Sequence, residues 1–395
     1  MKTVSGGVTA AKGFLAAGLN CRIKFKKKDL ALIYSEVPAV ACGVFTQNKV
    51  QAAPVTVTRA YLRNHRAQAI IANSGNANCC TGIQGIKDAQ SVAVATAKIL
   101  GLAKNQVLVA STGIIGKRLP VDRIKQKLDI LAAGLSREGQ KDAAYAILTT
   151  DTQPKQVAVK IKCGGREITL GGMAKGAGMI APHMATMLAF ITTDALIDGL
   201  RLQRALAQAV EHSFNLITID GDMSTNDMAL VLANGLAGNQ PLKQKEYAQF
   251  QSALRYVCLE LAKMIVKDAE GAKKFVRIRV EGAKSLVQAQ KVAFKIANSP
   301  LVKTAICGEN PNWGRVAASV GSADQDVSQE KLAIYLGPLK VMHRGAAVKA
   351  DHQKLNSLFK AAEIDIRVNL GLGEFSQCVF TCDLTEKYVK INAEY

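Results

Sequence analysis

Residues 171–195, GGMAKGAGMIAPHMATMLAFITTDA, place four glycines (171, 172, 176 and 178) and Pro182 ahead of Thr186, which opens the apolar run MLAFIT. Glycine lets a backbone take positive φ and come close to a ligand. The apolar run has the length of a buried strand. Thr186 therefore stands where a pliant entry meets a rigid element, and the residues alone fit two readings. In one, it simply starts a strand beside a tight loop. In the other, it is a nucleophile made by cleavage of the Ala185–Thr186 bond. Its hydroxyl attacks the preceding carbonyl and leaves Thr186 as a new N-terminus. The freed α-amine, with an unperturbed pKa of about 7.7–8.0, would then be a general base near neutrality.

The elements that must position such a residue are mixed. The spacing of Val121, Ile124, Leu128, Leu131 and Leu135 after Pro120 predicts a helix, as does that of Phe250, Leu254, Cys258, Leu261 and Ile265 over about 245–268. Val276, Ile278 and Val280 alternate with arginines, and Ile364, Ile366, Val368 and Leu370 with polar residues, as strands with one covered face do. Helices and strands interleave without a regular βαβ series, which favours α+β. GLAGNQPLKQKEY at 235–247 reads as a linker. STGIIG at 111–116 reads as a turn after the strand VLVA, and KFKKKD at 24–29 as a solvated turn or edge. DGDMSTND at 220–227 lacks the EF-hand spacing and reads as a polar loop.

Composition narrows the function classes. With 395 residues, 49% hydrophobic and 21% charged, the chain has room for sizeable cores and is neither disordered nor fibrous. Its nine cysteines form no CxxC pair, and its five histidines show no zinc-ligand spacing, so free thiols in a reducing cytoplasm and no metal are expected. No apolar run reaches membrane-spanning length, and the N-terminal stretch makes a poor signal peptide. The net charge of +20 invites a nucleic-acid partner, but aromatics are only 5%, too few for base stacking along a basic surface. No GxxxxGK[ST] or GxGxxG nucleotide loop is present.

The segment KGAGMIAPHMATML at 175–188 resembles the self-cleavage site of the ornithine acetyltransferase family, the bifunctional glutamate N-acetyltransferases/amino-acid acetyltransferases of arginine biosynthesis. The likeness runs in order through GGVTAAKGF (6–14), GVFTQNKVQAAPV (43–55), ANSGNANCCTG (72–82), STGIIG, TTDTQPK (149–155), DGDMSTND, DAEGAKKF (268–275), NPNWGR (310–315) and YVKINAEY (388–395). Carried over by position, it implies Thr186 as the nucleophile. It implies Thr112 and Gly113 as the oxyanion-hole pair, and Thr152, Lys175, Thr186, Glu270 and Asn392 as substrate contacts. The chemistry agrees: a glycine turn and a threonine hydroxyl can donate to a developing O⁻, and Lys175 suits a substrate carboxylate. Glu270 suits either ornithine's ammonium or the Thr186 amine, and the sequence leaves that choice open.

The resemblance further implies layered sheets sandwiched by helices in a self-cleaving α+β acyltransferase fold, with a smaller C-terminal α/β domain. The expected division is a catalytic domain of about 1–240 and a second of about 245–395, cut by cleavage into chains 1–185 and 186–395 that associate as an α2β2 heterotetramer. The implied activity is acetyl transfer from N2-acetylornithine to glutamate in the cytoplasm, without a cofactor, a membrane or nucleic acid; acetyl-CoA stays open as a second donor. A self-cleaving aminopeptidase or amidohydrolase of similar architecture, and a basic nucleic-acid-binding protein, are the alternatives. Two departures from the family stand out. Members commonly run a few residues past the Asn-Ala-Glu-Tyr block to a Ser or Thr, and FTCDL at 380–384 stands where a WGCDL-like string is usual.

Overall fold

Two sheets organise the chain, one in each of two units: Met1–Asn215 with Asp222–Ile265, and Leu216–Gly221 with Val266–Tyr395. The structure is a computed structural model and describes residues 1–181 and 187–394. The division falls at the end of the helix Gln244–Lys267, further along the chain than the glycine-rich stretch 235–247. Among the described residues no helix is long and apolar enough to cross a membrane.

The first sheet has nine strands: β1 (Lys2–Val4), β2 (Phe14–Leu19), β3 (Leu30–Phe45), β4 (Arg66–Asn76), β5 (Val107–Ile114), β6 (Lys155–Cys163), β7 (Arg166–Lys175), β8 (Leu188–Thr193) and β9 (Met228–Ala233). They run in the order β1-β6-β7-β8-β9-β3-β4-β5, with β2 paired to β3. Both faces of this sheet are covered, which explains why its strands read as near-continuous apolar runs. Leu30, Leu32, Ala69, Ile71, Val107 and Val109 pack into one core with Val92, Ala93, Ile124, Leu128 and Leu131. Their chain neighbours Ala31, Ile33, Ile70, Ala72, Leu108 and Ala110 point the other way, into a second core with Phe14, Met173, Leu188, Phe190, Met228 and Leu230. A period of two thus feeds two cores from one sheet, giving a layered α+β unit.

The second unit carries β10 (Phe275–Ala283), β11 (Ala333–Leu336), β12 (Leu339–His343), β13 (Ala346–Ala347), β14 (Glu363–Asn369) and β15 (Phe375–Cys382), ordered β13-β12-β11-β14-β10-β15. The two alternating stretches seen in the sequence are its parallel centre, with Val276, Ile278 and Val280 opposite Ile364, Ile366 and Val368. Their apolar face is covered by the helix Leu286–Ala297 through Val292, Ala293 and Ile296.

Two local expectations are corrected. The pattern from Pro120 to Leu135 is not one helix but two short ones, Val121–Lys125 and Leu128–Ala133. Between them the Lys127 N–H bonds three residues back, to Ile124 O at 3.0 Å, and this tighter turn still leaves Ile124, Leu128 and Leu131 buried together. STGIIG is also not all turn: β5 continues through Ile114, and the chain turns only afterwards. Gly113 makes this extension workable. At φ +130° it pairs with Gly75 of β4, and a Cβ there would lie 2.4 Å from the Gly75 carbonyl carbon.

Candidate active site

Lys175 is the last residue of β7 and pairs across to Leu188, the first residue of β8. Gly171 and Gly172 of the Gly-rich sequence thus lie inside a strand, not in a loop, and the end of that strand abuts the start of the run following Thr186. Thr186, Ala185 and the cleavage bond between them lie outside the described residues. Around Lys175 the first unit brings together groups that are far apart in sequence. Its Nζ lies 3.5 Å from Thr112 Oγ1 and 3.9 Å from Asp151 Oδ2, and all three side chains are almost wholly buried. The structure thus unites two of the residues singled out from the sequence, Lys175 and Thr112. Gly113 follows Thr112 at a half-exposed position, where the site meets solvent.

Asp151 organises this centre, and sequence reasoning missed it. Its Oδ1 accepts from Lys155 Nζ and from the Gly176 N–H, each at 2.7 Å, and its Oδ2 accepts from the Thr149 N–H at 3.1 Å. Burial alone would push its carboxyl up. The ammonium groups of Lys175 and Lys155, with the two hydrogen bonds to Oδ1, outweigh that and hold it well below the usual carboxylate range. The available signal was an Asp four residues ahead of a Lys in TTDTQPK, which is too common to single out. Thr152, next to Asp151, is exposed.

The polar loop DGDMSTND proves specific at its end. Asn226 donates from Nδ2 to Ala77 O at 2.7 Å and Ser111 O at 2.8 Å, tying the segment after β4 to the strand that carries Thr112. Asp227, fully buried, accepts the Met187 N–H on Oδ1 at 2.8 Å, one residue beyond Thr186. Its Oδ2 has no hydrogen-bond partner among the described residues. Burial raises its carboxyl well above the ordinary range, against the smaller opposing effects of Met187, Ser224 and Lys175.

The remaining expected contacts belong to the second unit. Glu270 follows the helix Gln244–Lys267, and its Oε2 accepts from Asn392 Nδ2 at 2.8 Å; the same amide donates to Tyr388 O at 3.0 Å. Asn392 lies in the helix Glu386–Ala393, whose N-cap Thr385 accepts the Tyr388 N–H. The nine cysteines are free thiols, and Cys79 and Cys80, with sulfurs 3.8 Å apart, are not bridged.

A threonine hydroxyl beside a glycine at a strand end, next to a buried lysine–aspartate pair, is suited to an acyl-transfer enzyme of α+β architecture. The chain belongs to the ArgJ family, whose model matches residues 15–395. It is 48% identical to the arginine biosynthesis bifunctional protein ArgJ of Symbiobacterium thermophilum, over 100% of both chains. It is 46% identical to the protein of the same name from Caldanaerobacter subterraneus subsp. tengcongensis, again over 100% of both. Among solved structures, that of the arginine biosynthesis bifunctional protein argJ from Bacillus halodurans matches with a TM-score of 0.51 and 42% identity. The match covers 52% of this chain and 98% of that one. The site and the family membership together make the chain an acetyltransferase of amino-acid biosynthesis.

Proposed function

We propose that the enzyme moves an acetyl group from N2-acetylornithine to glutamate through an ester on Thr186. The Ala185–Thr186 bond is first cleaved by attack of the Thr186 hydroxyl on the Ala185 carbonyl, which moves the acyl group onto Oγ as an ester and frees the α-amine; water then hydrolyses that ester, giving chains 1–185 and 186–395 that stay together as an α2β2 assembly in the cytoplasm. In each turnover Thr186 Oγ attacks the acetyl carbonyl carbon while the Thr186 α-amine takes the hydroxyl proton. Thr112 and Gly113 donate to the tetrahedral oxyanion. The C–N bond breaks, the leaving nitrogen takes the proton back, and ornithine departs. The neutral α-amine of glutamate then attacks the ester and leaves as N-acetylglutamate, restoring the Thr186 hydroxyl. Lys175 takes a substrate α-carboxylate, Thr152 lines the approach, and Glu270 and Asn392 contact the substrate as a hydrogen-bonded pair.

The observation that carries this reading is the buried contact of Lys175 with Thr112, at the end of a strand paired to the run that follows Thr186. The Bacillus halodurans match adds support, because that solved chain corresponds to about half of this one, the share of one cleavage product. Incubation of the protein with N2-acetylornithine alone, followed by intact-mass measurement, tests it. The 186–395 chain should gain one acetyl group and lose it on addition of glutamate. An unmodified chain, or undiminished ornithine release without glutamate, would refute transfer and favour hydrolysis. The same assay with acetyl-CoA in place of acetylornithine decides whether that donor is also used.

A further inference from the structure

The basic run KFKKKD, expected to be a solvated turn, is in fact built around a buried acid. Asp29 is fully buried; its Oδ1 accepts the Cys21 N–H at 2.6 Å and its Oδ2 accepts the Ile23 and Lys24 N–H groups at 2.7 Å each. These bonds fix the loop, so Lys24 leaves it in a defined direction, while Phe25 and the next two lysines face solvent. The Lys24 stem lies against Gly75, where a Cβ would meet Lys24 Cγ at 2.9 Å. Gly75 is the strand partner of Gly113, so this stem packs on the same pair of strand ends as the proposed oxyanion site. Its ammonium, half-buried, donates to Leu148 O at 2.8 Å. No other hydrogen-bond partner of that ammonium is found among the described residues. Leu148 opens the segment that leads into Asp151.

We propose that Lys24 is a substrate-binding residue of this site and takes a carboxylate of the amino-acid substrate; the proposal rests on the acetyl-transfer reading above. A three-donor ammonium with one protein acceptor, on a stem packed against the strand partner of Gly113, is suited to an anion. The charged groups acting on it are Asp29 and Lys27 of its own loop, Asp151 ahead of β6 and Lys175 at the end of β7. Burial outweighs the two acids and lowers Lys24 to about 8, so an arriving carboxylate compensates a charge that the site holds at a cost. The carboxylate has two sources: the α-carboxylate common to both substrates, or the side-chain carboxylate that glutamate alone carries.

Steady-state kinetics of Lys24→Met, which keeps the stem over Gly75, separate these. The expected result is a rise of about tenfold or more in KM with kcat within about twofold, and partial rescue in Lys24→Arg. A rise for glutamate alone assigns the side-chain carboxylate; an equal rise for N2-acetylornithine assigns the α-carboxylate. The wild-type KM for the affected substrate should also climb as pH passes about 8, and this climb should be missing in Lys24→Met. Unchanged KM values for both substrates overturn the proposal while leaving the acetyl-transfer reading intact. A wild-type enzyme that transfers no acetyl group overturns that reading itself. If Lys24→Met does not fold, Lys24→Gln is read by the same criteria.

Discussion

Thr112 and Asp151 illustrate two different kinds of residue in this site. As the proposed oxyanion donor, Thr112 would contribute only when charge develops, so Thr112→Ala should lower kcat by about 10²–10³ with little change in KM or in stability, measured by steady-state kinetics and urea unfolding. Asp151 instead holds two buried lysines. Its replacement by Asn leaves those charges without their carboxylate and should cost about 3–5 kcal/mol of unfolding free energy. The sign of the pH effect follows from its depressed pKa: the stabilisation is complete above the unfolded value near 4 and is lost as pH falls below it. Acid unfolding followed by circular dichroism should therefore show a loss of stability below about pH 4 that Asp151→Asn lacks. Thr112 and Lys175 were singled out through a resemblance carried by whole strings, not by any pattern of their own. Asp151 and Asp227 lie in strings of the same kind and were passed over, because what sets them apart is burial and partners distant in sequence, which no local pattern encodes.

At the level of elements, the sheet of the first unit places the site by bringing strand ends together. Gly113 can pair with Gly75 only without a side chain, so Gly113→Ala forces backbone apart at φ +130°. It should destabilise the protein by about 1–3 kcal/mol in urea unfolding. It should also lower kcat at least as much as Thr112→Ala, since β5 itself is displaced. Strands and the long helix Gln244–Lys267 were readable, as continuous apolar runs or clean 3.6 periodicity mark elements whose burial is decided locally. The break between Lys125 and Leu128 was not: the same buried positions are served by one helix or by two with a tight turn between them. Likewise, nothing in KFKKKD marks its final aspartate as the buried acceptor of three backbone N–H groups.

For the molecule as a whole, a net charge of +20 would act on charged substrates as a field. Glutamate carries a net negative charge and N2-acetylornithine none, so raising salt should lower kcat/KM for glutamate and leave that for N2-acetylornithine nearly constant. Equal salt dependence for the two would assign the charge to the protein surface alone. The central claim is that one translated chain becomes an enzyme of two. Denaturing electrophoresis with intact-mass analysis of wild-type protein and Thr186→Ala tests it most directly. The account predicts two wild-type fragments ending at Ala185 and beginning at Thr186, with acetyl transfer, and a single inactive full-length chain for Thr186→Ala. An active full-length wild-type chain, or two fragments persisting in Thr186→Ala, would contradict it.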